Sequence, residues 1–383
     1  MFKIGITGQS GFIGTHLVNK IRYDSGHELV EFHDSYFSDM EQLGDFVASC
    51  DIIIHLAAIN RHPDPEYLYS MNKILAGKLM DVCDKMNAKP HIIYSSSIQE
   101  NLDNAYGKAK YEIRKEFEDW STNRGNSFTA LLIPNVYGPF CKPFYNSVVA
   151  TFCYQLANQV ECKVLDDVEL NLIFVSELVN FIVELIKNEK NAPLDEKIVQ
   201  SICVPGSRTI YVSELLNKIN QISFDYLKFG SYPKFGDSFT INLFNTFLTY
   251  VNIDKFFPFM LRSNTDSRGA FTELMRLESG GQVSFSSTVP GVTRGEHFHT
   301  RKIERFMVLS GKARVQLRKI GTEFVQSFEV DGRQPAFIDM PVWFTHNITN
   351  IGEDPLLTLF WINEPFDPEN SDTFFEKVNN KQE

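Results

Sequence analysis

The chain opens on FKIGITGQSGFIGTHLVNKI, and no other stretch restricts its fold as much. An apolar run of strand length ends in a glycine turn, and a helical pattern begins inside that turn. Gly8, Gly11 and Gly14 give the spacing GxxGxxG. A turn without Cβ atoms lets the backbone approach a pyrophosphate, and the helix start behind it offers free N–H groups and the positive end of its dipole. A second strand, HELVEFHD, ends in Asp34, twenty residues after Gly14. A carboxylate there can bind adenosine ribose hydroxyls and disfavours a 2′-phosphate; a plain strand-end acid is the alternative. DIIIHLAA and PHIIYSSSIQ are near-continuous apolar runs with polar residues at their carboxyl ends, as buried parallel strands have. The alternation predicts an α/β doubly wound sheet of Rossmann type.

Tyr106 and Lys110 follow in AYGKAKYEI, four residues apart and so on one face of a helix. An ammonium beside a phenol lowers the phenol's pKa, which suits Tyr106 to proton relay at a carbonyl or alcohol. Ser95, Ser96 and Ser97 at the preceding strand end can supply a further hydrogen bond. Residues 206–258 are rich in Phe, Tyr and Asn, with helical pieces in YVSELLNKI and SFTINLFNTFLTYV, and read as packing rather than as a flexible linker.

From about Leu261 the pattern changes to short alternating strands at intervals of eight to twelve residues: QVSFSSTV, ERFMVLSG, ARVQLRKI, EFVQSFEV, AFIDM and TLFWIN. This predicts a small antiparallel sandwich or barrel. Inside it, RGEHFHTRKIERFMVLSG puts His297 and His299 on one side of a strand, with Glu304 beyond a short turn. His346 arrives about forty residues later in PVWFTHNITN. Two or three imidazoles and a carboxylate suit a divalent transition metal, zinc foremost.

The net charge of −11 argues against nucleic acid as a partner. Six cysteines without a CxxC pair read as reduced thiols, and no apolar run approaches eighteen residues. With no signal-like segment behind Met1, the expectation is a cytoplasmic protein with no membrane partner.

ITGQSGFIG, HLAA, YSSS, YGKAK and PNVYGP resemble the extended short-chain dehydrogenase/reductase family, which acts on nucleotide sugars. The resemblance covers roughly residues 1–245. It implies a catalytic Ser97, Tyr106 and Lys110. It also implies a nicotinamide cofactor held by Gly8, Gly11, Phe12, Ile13, Gly14, Asp34, Ala57, Tyr106 and Lys110. NADPH is the expected cofactor, with NADH left open by Asp34. On the substrate side it implies Asn135. Lys142, Tyr145, Asn146 and Ser147 in CKPFYNS suit a uridine and its diphosphate, with a solvated loop as the alternative. LNLIFVSEL is similar to that family's later RDFVHVDD segment but lacks its Arg.

Beyond a connector at 246–260, residues 261–383 resemble the cupins, all-β jelly-roll barrels. HFHTRKIERFMVLSG follows the first cupin motif, and MPVWFTHNITN the second, with Trp343 in place of the usual glycine. The resemblance implies His297, His299, Glu304 and His346 as metal ligands. SRGAFTE followed by RGEHFH is also similar to the dTDP-sugar 3,5-epimerases, in which the His at position 297 would move a proton instead. If His297 instead holds a metal, another group must move the proton, and Glu296, Lys302 and Arg294 are the candidates.

The two halves in this order resemble the bifunctional enzymes of capsular-polysaccharide synthesis. That implies C3 epimerisation of a UDP-2-acetamido-2,6-dideoxy-4-hexulose, then reduction at C4 to UDP-2-acetamido-2,6-dideoxy-L-talose, by a homodimer. The other reading is a 4-ketoreductase alone, with the cupin as a metal-stabilised dimerisation module.

Overall fold

The computed structural model describes residues 1–24, 26–189, 198–261, 263–266, 269–272, 281–364 and 367–379. Ser267, Arg268 and Glu273 of the SRGAFTE motif lie outside the described residues. Contacts divide the chain into two units, residues 1–151 with 166–212 and residues 152–165 with 213–383.

In the first unit strands and helices alternate: β1 (Lys3–Thr7), α1 (Phe12–Asp24), β2 (Glu28–Val30), α2 (Met40–Ala48), β3 (Ile52–His55), α3 (Pro65–Lys85), β4 (His91–Ser97), α4 (Ala105–Arg124) and β5 (Phe128–Ile133). β6 (Asn135–Tyr137), α5 (Val148–Ala157, of which residues 152–157 belong to the second unit), β7 (Glu169–Phe174), α6 (Val175–Glu189), β8 (Val199–Cys203) and β9 (Arg208–Tyr211) follow. Six strands form one parallel sheet in the order β2-β1-β3-β4-β5-β8, so the order reverses between β1 and β3. A crevice at that reversal, beyond the strand carboxyl ends, is where such sheets bind ligands.

The apolar runs are explained by burial on both faces. Ile53, Ile92 and Tyr94 pack on one side with Phe46, Leu79 and Phe117, while Ile52, Ile54 and Ile93 pack on the other with Leu17, Leu178 and Ile182. Period-two alternation therefore sends apolar side chains both ways. HELVEFHD is paired only over Glu28–Val30; Phe32, fully buried against Phe37 and Phe46, turns the chain away, and Asp34 starts a short 3-10 turn.

The second unit continues through α7 (Val212–Phe229), α8 (Ser238–Leu248) and α9 (Ile253–Phe256) into strands. These are β10 (Phe259–Met260), β11 (Ser263–Asp266), β12 (Gly269–Thr272), β13 (Gln282–Thr288), β14 (Thr293–Phe298), β15 (Glu304–Ser310) and β16 (Lys312–Lys319). β17 (Val325–Asp331), β18 (Ala336–Met340), β19 (Phe344–Asn350), β20 (Leu356–Ile362) and β21 (Phe374–Phe375) complete it. Two five-stranded antiparallel sheets result, β10-β18-β15-β20-β13 and β17-β16-β19-β14-β21.

The aromatic run that precedes the strands packs on the first of these sheets. Tyr232 lies 4.3 Å from Trp361 and Phe259 stacks on Phe337 at 4.7 Å. Beneath them Arg305 forms a bidentate pair with Asp339 at 2.8 and 3.0 Å, and Asp339 also accepts the hydroxyls of Tyr226 and Tyr232. Asp339 is completely buried, so every acceptor site it has must be used, and this network uses them. The described cysteines carry no disulfide, and no described helix is long and apolar enough to cross a membrane.

Candidate functional site

In the first unit the glycine turn lies at the carboxyl end of β1. Gly8 has φ +70, and a Cβ on Gly14 would overlap the Gly8 carbonyl oxygen, so the turn closes only with glycine there. The turn delivers the amides of Phe12 and Ile13 at the opening of α1, where no earlier helical carbonyl can take them. Ala57 sits against Gly8 from the end of β3, its N–H on Thr7 Oγ1 at 3.3 Å. Asp34 accepts from Ser10 Oγ at 3.0 Å, which puts its carboxylate beside the same turn. A cradle that a Cβ would fill, open amides and a nearby carboxylate together fit a dinucleotide.

β4 and α4 bring Ser97, Tyr106 and Lys110, the candidate proton-transfer group, together. Asn104 caps α4 by accepting the Gly107 N–H at 2.8 Å, and a Cβ on Gly107 would meet Gln99 O at 2.5 Å and Leu102 O at 2.6 Å. That close approach sets Tyr106 against the end of β4, where it hydrogen-bonds Ser97. Ser97 Oγ in turn accepts the Gln99 N–H at 3.1 Å.

Lys110, buried, donates to Ser95 O at 2.7 Å, with Nζ 5.7 Å from the Tyr106 ring centre. Burial lowers Lys110 to about 8 and pushes Tyr106 up to about 12, the Ser97 bond opposing the latter. Tyr106 therefore lies above the ordinary phenol value and not below it as expected: desolvation of the phenolate dominates, and the Lys110 ammonium is turned to a carbonyl. Tyr106 remains a protonated acid, which is the form a reduction needs.

Asn135 accepts from Gln99 Nε2 at 3.0 Å. Lys142 lies over the Tyr145 ring at 5.3 Å, Asn146 is exposed, and Ser147 is buried and accepts the Ala150 N–H at 3.3 Å. Ser147 is thus committed to starting α5. Arg61 donates to the carbonyls of Phe144 (3.5 Å) and Tyr145 (3.0 Å) and holds this loop. Gln99 and Arg61 belong to the site region but carry no motif of their own; each is visible only as a polar residue just past a strand end.

In the second unit β14, β15 and β19 converge. A bulge between Gly295 and His297 shifts the register of β14 against β19, and Glu296 takes φ +63 there. The ligand-capable atoms of His297, His299, Glu304 and His346 all lie within 4.8 Å of one another. His299 Nε2 and His346 Nε2 approach Glu304 Oε2 at 3.4 and 3.0 Å. None of these three buried atoms has any other partner.

Burial and the two neighbouring imidazoles lower His297 to about 4. Burial opposes the charge on Glu304 as well, but His299 and His346 hold it well below the usual carboxylate range. Three imidazoles and an ionised carboxylate, all buried except the half-buried His297 and with ligand atoms converging, fit a divalent transition metal.

Trp343 takes φ +63 and is held there by stacking on Phe298 at 5.5 Å and by its backbone N–H, which donates to His299 O at 2.7 Å. Glu296 accepts from Asn347 Nδ2 (2.8 Å) and the Val378 N–H (2.6 Å), so its carboxylate is engaged in holding backbone. Lys302 is buried 3.8 Å from Glu364, and Arg294 is exposed beside Ser287 O.

Residues 4–199 match the NAD dependent epimerase/dehydratase family, and residues 264–374 the polysaccharide biosynthesis C-terminal domain. The UDP-2-acetamido-2,6-beta-L-arabino-hexul-4-ose reductase of Pseudomonas aeruginosa is 30% identical over 97% of this chain and 98% of its own. The capsular polysaccharide assembling protein CapF from Staphylococcus aureus is 32% identical in its crystal structure. The match covers 98% of this chain and 99% of that one, with a TM-score of 0.61. The fold alone is shared with RMD from Pseudomonas aeruginosa, solved with NADPH: 18% identity, 58% of this chain, 84% of that one, TM-score 0.50. The chain belongs to the NAD dependent epimerase/dehydratase family, with a polysaccharide biosynthesis C-terminal domain behind it.

Proposed function

We propose that this chain is a bifunctional nucleotide-sugar enzyme of capsule or O-antigen synthesis. Its second unit epimerises C3 of a UDP-2-acetamido-2,6-dideoxy-4-hexulose, and its first reduces C4 to give UDP-2-acetamido-2,6-dideoxy-L-talose. The observation that carries this reading is the pairing, in one chain, of Ser97–Tyr106–Lys110 with the His297, His299, Glu304 and His346 cluster. The likeness to the Pseudomonas 4-keto-sugar reductase along nearly the whole chain supports it.

In the first unit, Ser97 and Tyr106 hydroxyls hold the C4 carbonyl oxygen, and Tyr106 gives it a proton. Lys110, charged at neutral pH, stabilises the phenolate left behind. NADPH, or NADH where Asp34 favours it, supplies the hydride when bound. The sugar nucleotide is read by Asn135 and the loop of Lys142, Tyr145 and Asn146.

In the second unit the 4-keto group acidifies the C3 hydrogen, and His297, His299, Glu304 and His346 would hold a divalent metal. When bound, a divalent ion, zinc by this donor set, supplies Lewis-acid polarisation of that carbonyl. His297 serves as a ligand in this reading and does not move the proton.

Incubation of the 4-keto sugar nucleotide in deuterated water with NADPH tests both centres. Tyr106→Phe is expected to lose NADPH oxidation and keep deuterium incorporation at C3; His346→Ala is expected to lose the incorporation. Incorporation that survives His346→Ala at the wild-type rate would sink the epimerase assignment and leave a reductase with a metal-bearing accessory domain.

A further inference from the structure

The four candidate ligands come from the neighbourhood of three strands, yet one residue distant in sequence from all of them braces two. Asp372 lies in the strap 371–378 and is buried. Its backbone carbonyl accepts the Nδ1–H of His299 at 2.6 Å. His299 therefore carries its proton on Nδ1 and turns the Nε2 lone pair toward Glu304 and His346. The Asp372 carboxylate accepts the N–H groups of Thr300 (3.2 Å), Arg301 (2.9 Å) and Lys302 (3.0 Å), and the Thr300 hydroxyl at 2.5 Å. Those three consecutive amides form the turn that separates His299 from Glu304. The backbone of Asp372 is left-handed, φ +45, a conformation held here by its bonds on both sides.

The same strap reaches His297. β21 pairs with β14 at His297 and Phe298, Phe374 stacks on Phe298 at 5.4 Å, and the Val378 N–H binds the Glu296 carboxylate within the bulge.

We propose that Asp372 is the positioning residue of the metal centre: its carboxylate fixes the spacing of His299 from Glu304 before any ion arrives, while its backbone carbonyl, which no side-chain substitution removes, sets the His299 tautomer. The proposal rests on the reading of the four ligands as a divalent-cation site. An imidazole free to exchange tautomers presents an N–H to the centre part of the time, and a loose turn must lose conformational entropy on binding; Asp372 removes both penalties.

The test is the zinc affinity of the full chain, by competition with a chromophoric chelator, together with the visible spectrum of the cobalt(II) form. Asp372→Ala is expected to weaken zinc binding about 10- to 100-fold and to alter the cobalt bands, with Asp372→Asn between it and wild type. A purely structural role would lower the unfolding temperature of the metal-free variant and leave affinity and cobalt spectrum unchanged; that result overturns the proposal. Should Asp372→Ala fail to fold, Asp372→Asn carries the same measurement, and wild-type affinity there overturns it equally. A wild-type chain that takes up neither zinc nor cobalt refutes the metal reading itself, and a wild-type chain that binds with unchanged variants refutes only the role of Asp372.

Discussion

Replacing Lys110 by Met removes a charge and keeps most of the volume, which makes its consequences calculable. Burial brings the Lys110 ammonium from 10.5 to about 8. At about 1.4 kcal/mol per pH unit, holding the charge in the folded chain costs roughly 3 kcal/mol. Because the folded chain binds this proton less tightly than the unfolded one, stability rises with pH between about 8 and 10.5 and is flat below. Met carries no such cost, though it gives up the bond to the Ser95 carbonyl, about 1 kcal/mol. Lys110→Met should thus stabilise the first unit by about 2 kcal/mol at pH 7, with the advantage gone near pH 10.

Catalysis should move the other way. Wild-type kcat/KM for reduction should fall about tenfold per pH unit above 8, as Lys110 loses the charge that stabilises the Tyr106 phenolate. The variant should be slow and show no such limb. Calorimetric unfolding at pH 7 and pH 10, with kcat/KM measured over the same range, checks both. A variant no more stable than wild type at pH 7, or a wild-type profile flat to pH 10, refutes the reasoning.

Tyr106→Phe should lower kcat for reduction by about 10²- to 10⁴-fold with a small change in substrate affinity, measured by NADPH oxidation and by calorimetric titration. Gly14→Ala should reduce nicotinamide binding by about tenfold or more, because the added methyl displaces the Gly8 carbonyl; quenching of NADPH fluorescence reports it. Asp339→Asn should destabilise the second unit by about 3–5 kcal/mol, since it leaves the Arg305 charge buried without its counterion; denaturant unfolding followed by the fluorescence of Trp343 and Trp361 measures this. Asp34→Ala should raise the preference for NADPH over NADH, read as the ratio of kcat/KM values for the two cofactors.

What could be read in advance follows a physical division. Periodicity and glycine spacing are local, so the doubly wound sheet, the turn at Gly8–Gly14 and the helix carrying Tyr106 and Lys110 were legible, as were six of the second-unit strands. Clustering of His297, His299, Glu304 and His346 was legible too, because three of the four sit within eight residues of one another. Sums of competing terms were not. The pKa of Tyr106 depends on how deeply α4 sinks its first turn, which Gly107 decides through contacts with Gln99 and Leu102. Asp372 offered no signal at all, since its carboxylate meets Thr300–Lys302 across about seventy residues of chain. The short pairing of β2 escaped for the same reason: Phe32 satisfies an alternating pattern, but the aromatic pocket of Phe37 and Phe46 claims it.

The bracing of His299 by Asp372 has a consequence for how the chain matures. All four candidate ligands are synthesised before the strap, so a growing chain carries them before the bonds from Asp372 can form. The arrangement of these four side chains is braced only once residues 371–378 have come back onto β14.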